Sequence, residues 1–318
     1  MSAARGAFVR RLLVKRFAWL AALTMSRAAG AGPLAGSTRQ QREQRQTDVD
    51  DDSGAERGGF MLPIGAVLQS DIAYGELKAQ KLDVYRPAHG SGAPTMVMVH
   101  GGGWRRGDKA APRAIRNKVT HWVGRGWVVV SVNYRLLPEA SPLVQADDLA
   151  RALAHVQSLA RTWGGDPAKV VLMGHSAGAH LVSLLTSDPA LATRHGASPW
   201  LGTVSLDSAA FDIEAIMRSR HLGLYDQAFG QDAVVWREAS PFHRLRGKPV
   251  APMMIVCSSR RGDSCPQGRA FAEKAQRHGG RVVVYPMDAS HSEINEQAGA
   301  PGAYTAEIDS FFHSLGLS

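Results

Sequence analysis

Residues 170–182 read VVLMGHSAGAHLV. The first half is a short apolar run of the kind that forms a strand buried on both faces, and it stops at Gly174. Apolar spacing then resumes at Leu181, Val182, Leu184 and Leu185, which reads as a helix. Between the two halves Ser176 has a glycine two positions away on either side, a G-x-S-x-G pattern. A strand, a sharp turn and a helix form the context in which a serine is lifted clear of a sheet. A nucleophile on so tight a turn adopts strained backbone angles, and side chains at Gly174 or Gly178 would collide with neighbouring elements. The pattern is short and built from common residues, so its meaning depends on whether the rest of the chain supplies partners.

From residue 65 onward, strand-like and helix-like segments alternate. Strand-like runs occupy 65–75, 80–87, 95–100, 127–134, 170–174, 202–207, 252–259 and 281–288. Helix-like spacing occupies 146–163, 269–279 and 303–316, with Gly279 as a C-cap. Near-continuous apolar strands alternating with helices predict an α/β fold: a mostly parallel sheet of about eight strands covered by helices on both faces. The interval 209–248 lacks a clear strand and is expected to form a small helical, cap-like insertion over one end of the sheet. Ligand sites in such sheets lie beyond the carboxyl ends of the strands, so chemically active residues should fall just after strand ends.

Several do. A serine hydroxyl needs a base to take its proton, and that base should follow a late strand. His291, in YPMDASHSE (285–293), stands behind the last apolar run and is read as lying in a loop. The imidazole needs a carboxylate to fix its tautomer. Asp263, after the run PMMIVCSS (252–259), is the first candidate, and Ser…Asp…His is the chain order this architecture expects. Asp207, which ends GTVSLD, is the second candidate, and Asp288 is too close in sequence to His291 to turn back on it. HGGGW (100–104) ends another strand-like run and offers backbone N–H donors to a developing oxyanion. Gly102, Gly103 and Ala177 are the expected donors, and Trp104 is a candidate substrate-binding wall. His100 is expected to brace the loop, and His175 and His180 to pack.

The chain has 318 residues and a formal net charge of +9. Residues 1–47 carry nine Lys/Arg and one acid, and the remaining 271 are nearly neutral, which gives no nucleic-acid face. The N-terminus reads as an export signal over residues 1–31. It has a basic start, the apolar stretch FAWLAALTM (17–25), an A-x-A-like site at 29–31, and a twin-arginine-like RRLLVK (10–15). Nine apolar residues are too few to cross a bilayer, so no stable membrane insertion is expected. Residues 32–64 are polar enough to form a flexible tether, leaving a single catalytic domain over 65–318. The expected location is periplasmic or secreted, with a cytoplasmic location as the alternative. Cys257 and Cys265 permit one disulfide, and a pair of reduced thiols is equally compatible. Their spacing suits neither a zinc site nor a redox CxxC, and no metal site is expected.

HGGGW, NYRLLPEA (133–140), GHSAG and the late Asp and His resemble the α/β-hydrolase superfamily. The nearest branches are the feruloyl-esterase/arylformamidase-like and hormone-sensitive-lipase-like ones. The resemblance spans about residues 65–316 and implies the α/β-hydrolase fold, a cofactor-free serine hydrolase and a small-molecule ester substrate. It places the oxyanion motif on His100, Gly101, Gly102, Gly103 and Trp104, and the nucleophile on Ser176. NYRLLPEA is a looser match, since Leu137 stands where the lipase-like branch usually has alanine. Residues 32–64 are too polar to form that branch's N-terminal cap, which argues against long-chain lipid substrates. The same machinery would serve an arylformamidase. A serine peptidase, or a binding module that keeps the fold without the chemistry, remains as a further alternative.

Overall fold

The computed structural model describes residues 60–317. The export segment expected at 1–31, and all of the tether before residue 60, lie outside the described residues. Eight strands form one sheet: β1 (Ala66–Ala73), β2 (Lys81–Pro87), β3 (Ala93–Val99), β4 (Val128–Val132), β5 (Gly165–His175), β6 (Gly202–Leu206), β7 (Met253–Ser258) and β8 (Val282–Met287). Their spatial order is β1-β2-β4-β3-β5-β6-β7-β8. β1 pairs antiparallel with β2, and β2 with β4; every other pairing is parallel. All eight strands overlap the strand-like runs of the sequence, with β5 beginning at Gly165, five residues before the expected run.

The helices follow in chain order: α1 (Pro112–Lys118), α2 (Pro142–Leu159), α3 (Ala177–Ser187), α4 (Ala190–Thr193), α5 (Ile213–Met217), α6 (Gly223–Phe229), α7 (Ala233–Glu238), α8 (Pro241–Arg244), α9 (Ser264–Arg277), α10 (His291–Gln297) and α11 (Ala303–His313). The period-2 alternation of the strands sorts them into layers. In β3, Val97 and Val99 pack with Leu149, Leu153 and Val156 of α2 and Leu181 and Leu184 of α3. Met96 and Met98, between and beside them, pack on the other face with Ile115 of α1 and Ile308, Phe311 and Phe312 of α11. β7 divides in the same way: Met254 and Val256 join the α11 side, and Met253 and Ile255 meet Phe271 and Ala275 of α9. A strand buried on both faces has no polar positions to alternate, which is why these runs read as continuously apolar.

The interval 209–248 holds four short helices, α5 to α8, as the missing strand pattern suggested. The loop expected around His291 is instead the start of a helix. Ser290 caps α10 through a capping box: its hydroxyl accepts from the Glu293 N–H, and the Glu293 carboxylate accepts from the Ser290 N–H. The S-x-x-E signal at 290–293 was present in the sequence. Cys257 and Cys265 form a disulfide that ties the end of β7 to the first turn of α9. Among the described residues no helix is long and apolar enough to cross a membrane.

Candidate active site

β5 ends at His175, and Ser176 turns the chain into α3 with φ 53° and ψ −115°. A left-handed φ at a serine is strained and persists only where its surroundings hold it. Two glycines allow the approach. A Cβ on Gly174 would stand 2.4 Å from the Gly178 carbonyl oxygen, and one on Gly178 would stand 2.2 Å from that of Val99. The Ser176 N–H donates to the Leu206 carbonyl at 2.9 Å, fixing the turn to the end of β6.

HGGGW follows β3. Gly102, Gly103 and Trp104 all have positive φ, and the Gly102 carbonyl accepts from the N–H groups of Arg105 and Arg106. The NYRLLPEA stretch (133–140) holds this loop in place. The Tyr134 hydroxyl donates to the His100 carbonyl at 2.8 Å, and its ring stacks on the His100 imidazole at 4.5 Å. The Leu137 N–H and the Gln145 side-chain amide both donate to the Trp104 carbonyl. His100 therefore braces the loop, as expected. Trp104 both packs and lines the pocket: its indole N–H donates to His180 Nδ1 at 3.2 Å, and its ring meets Phe229 of α6 edge-on. His180 donates onward from Nε2 to the Ala239 carbonyl at 2.7 Å, and burial lowers its pKa to about 4. It is a neutral bridge between the glycine-rich 100–104 loop and the insertion.

His291 sits at the first turn of α10, 2 % exposed. Its Nδ1 donates to Asp207 Oδ2 at 2.6 Å. An anionic oxygen this close requires the proton on Nδ1, which leaves the Nε2 lone pair free. Nε2 is buried and carries no hydrogen bond. Ser176 and His291 line one small pocket with Gly103, Trp104, Ala177 and Asp207, and Leu222, Leu224 and Tyr225 of the insertion complete its wall.

The carboxylate on His291 is therefore Asp207, not Asp263. Asp263 occupies the N-cap position of α9, with its side chain 39 % exposed, and among the described residues it pairs with Arg261 Nε at 3.4 Å. The physical reason lies in the end of β6. Asp207, 0 % exposed and with φ 52°, lies level with the elbow and accepts four donors. Ser258 N–H (2.8 Å) and the Ser264 hydroxyl bind Oδ1; His291 and Arg261 Nη1 (2.7 Å) bind Oδ2. Burial opposes its ionisation, yet the Arg261 charge and the His291 hydrogen bond hold its pKa well below the usual range. Burial, with the nearby His175 and Arg261, lowers the pKa of His291 against the pull of Asp207. His175 contributes by contact: its ring lies 4.4 Å from that of His291, and its Nε2 meets the His291 carbonyl at 3.1 Å. Sequence reasoning did not single out Arg261, whose only signal was the Arg-Arg-Gly stretch just before Asp263. Among the described residues no cluster of three or more His, Cys, Asp or Glu side chains could hold a metal ion.

A serine on a strained elbow, a buried imidazole with a free Nε2, a carboxylate behind it and N–H groups beside it are the parts that acyl transfer needs. The BD-FAE family model matches residues 82–206. Esterase LipQ of Mycobacterium tuberculosis is 32% identical over 78% of this chain, which spans 62% of that protein. The kynurenine formamidase of Danio rerio is 31% identical over 46% of this chain and 47% of its own length. Esterase B of Lactobacillus rhamnosis superimposes with a TM-score of 0.67 at 19% identity, covering 87% of this chain and 93% of that one. Strand order and these likenesses agree on the architecture: the chain has the α/β-hydrolase fold, and it is similar in sequence to esterases of which it spans less than two thirds.

Proposed function

We propose that this protein is a serine hydrolase that cleaves carboxylic esters of small to medium acyl or aryl groups through an acyl-enzyme. The reading rests chiefly on one observation: Asp207 fixes the Nδ1–H tautomer of a buried His291 whose Nε2 carries no hydrogen bond, and His291 and Ser176 line the same pocket. His291 takes the Ser176 proton as the serine oxygen attacks the ester carbonyl. The N–H groups of Gly102, Gly103 and Ala177 stabilise the oxyanion. The tetrahedral intermediate collapses, His291 gives its proton to the leaving alcohol, and the acyl group stays on Ser176. Water then repeats the sequence and frees the acid. The apolar wall of Trp104, Leu222, Leu224 and Tyr225 suits an uncharged acyl or aryl group.

The likeness to a kynurenine formamidase supports a second reading, hydrolysis of an N-formyl amide by the same residues. A location outside the cytoplasm favours the ester reading, and it fits both the basic, apolar N-terminal stretch and the Cys257–Cys265 disulfide. A panel of chromogenic esters of increasing acyl length, run beside N-formylkynurenine and a Ser176→Ala control, tests both. Ester turnover lost by at least about 10⁴-fold in S176A is the expected result. Near-wild-type turnover in S176A overturns the assignment, and efficient cleavage of the formamide with poor ester turnover reverses the ranking.

A further inference from the structure

We propose that Arg261 is a positioning residue for this reaction, whose guanidinium holds the Asp207–His291 pair in register by touching both partners with one nitrogen. The proposal rests on the serine-esterase reading above. Arg261 lies in the connection between β7 and α9, with its side chain 14 % exposed, and lines the pocket that contains Ser176. Its Nη1 donates to Asp207 Oδ2 at 2.7 Å and to the Asp207 carbonyl at 3.2 Å, and it lies 2.9 Å from His291 Nδ1. The Nδ1 proton is committed to Asp207, so Nδ1 has no lone pair to accept a bond from Arg261. What remains at that distance is a cation pressed against the imidazole.

Two consequences follow. First, the carboxylate cannot swing. Of the four donors on Asp207 side-chain oxygens, three (Ser258 N–H, Arg261 and Ser264) come from residues 258–264. That stretch is closed by the Cys257–Cys265 disulfide, so the donors are tethered at both ends. Second, the cation opposes a second proton on His291. The groups facing the imidazole are Asp207 from the end of β6, His175 from the end of β5 and Arg261. Tyr304 of α11 faces Asp207 and stays protonated through burial, and Asp263 faces Arg261 from its outer side. Without Arg261, Asp207 would act on His291 uncompensated, and the imidazole would keep its proton to higher pH. Lysine at this position would keep the charge and lose the planar fork.

The test is the pH profile of kcat/KM for p-nitrophenyl acetate with full-length wild type, R261K and R261Q. Its acid limb reports the free enzyme's base. In R261Q the limb is expected to move up by about one pH unit. The kcat should fall about 10- to 100-fold with KM little changed. In R261K the limb should stay in place while kcat still falls. A folded R261Q whose limb coincides with the wild type, or whose loss lies wholly in KM, overturns the proposal. If R261Q does not fold, R261K decides. A lowered kcat on an unmoved limb supports the proposal, and wild-type kcat or a limb raised by a full unit overturns it. A wild type that turns over no ester removes the esterase reading and this proposal with it; an active wild type with an unmoved limb in R261Q removes this proposal alone.

Discussion

At one end of the pocket Ser176 is held by backbone. Gly174 and Gly178 let β5, α3 and the His100 loop approach to distances no side chain would allow, and the Ser176 N–H is pinned to Leu206. At the other end Asp207 is held by side chains and one N–H drawn from two segments, residues 258–264 (Ser258, Arg261 and Ser264) and His291. In the first arrangement the glycines that permit the approach lie within two residues of the serine they shape, although the backbone they admit comes from Val99, His100 and Leu206. The second exists only once β6, β7 and β8 are side by side. Steric exclusion tolerates no substitution at a few positions. A hydrogen-bonded carboxylate distributes its support over several groups and depends most on its own charge.

The largest effect that separates the two ends is expected at the carboxylate. Asp207→Asn keeps the shape and removes the charge that fixes the Nδ1–H tautomer of His291. The expected loss is about 10⁴-fold in kcat with KM little changed, measured on protein shown to be folded by circular dichroism. A loss below tenfold would mean that some other group orients the imidazole. The elbow is best broken by bulk. Gly178→Ala would place a methyl 2.2 Å from the Val99 carbonyl oxygen and 2.5 Å from that of His100, both backbone atoms that cannot turn aside. A cost of about 3 kcal/mol in urea unfolding is expected. Gly223→Ala, at a position with nothing within 4 Å, should stay within about 0.5 kcal/mol. Equal costs at the two glycines would show that close approach is not what holds the elbow.

The same contrast explains what the sequence revealed. All eight strands, the Ser176 turn and the glycine-rich turn at 100–104 were legible, because strand burial and tight turns leave marks in neighbouring residues. His291 was found by its place after the last strand, but its helix was missed although Ser290 and Glu293 carried the capping signal. The carboxylate was misplaced. Asp207 and Asp263 both follow strands, both precede His291 in the chain, and nothing local distinguishes them. What separates them is three-dimensional: Asp207 meets a ring of donors, whereas Asp263 sits at a helix start facing the outer side of Arg261. The insertion's wall residues, Leu222, Leu224 and Tyr225, were equally hidden, since short helices without a long amphipathic pattern do not announce which face they turn inward.

The smallest expected effect is the most discriminating, because it falls on the residue that sequence order favoured. Asp263→Asn removes a half-exposed carboxylate 3.4 Å from Arg261 Nε and no contact to His291. Turnover should stay within about threefold of wild type, since a partly solvated charge acting through a second residue is well screened. The direction of the residual effect is fixed by charge. Asp263 offsets part of the Arg261 cation, so its loss leaves Arg261 slightly more effective against protonation of His291. The acid limb of kcat/KM should therefore move slightly down in pH, opposite in sign to R261Q. A loss approaching that of D207N would mean that the connection between β7 and α9 rearranges to bring Asp263 onto His291 when substrate binds. In that case the tethered donors on Asp207 would be a resting arrangement rather than the working one.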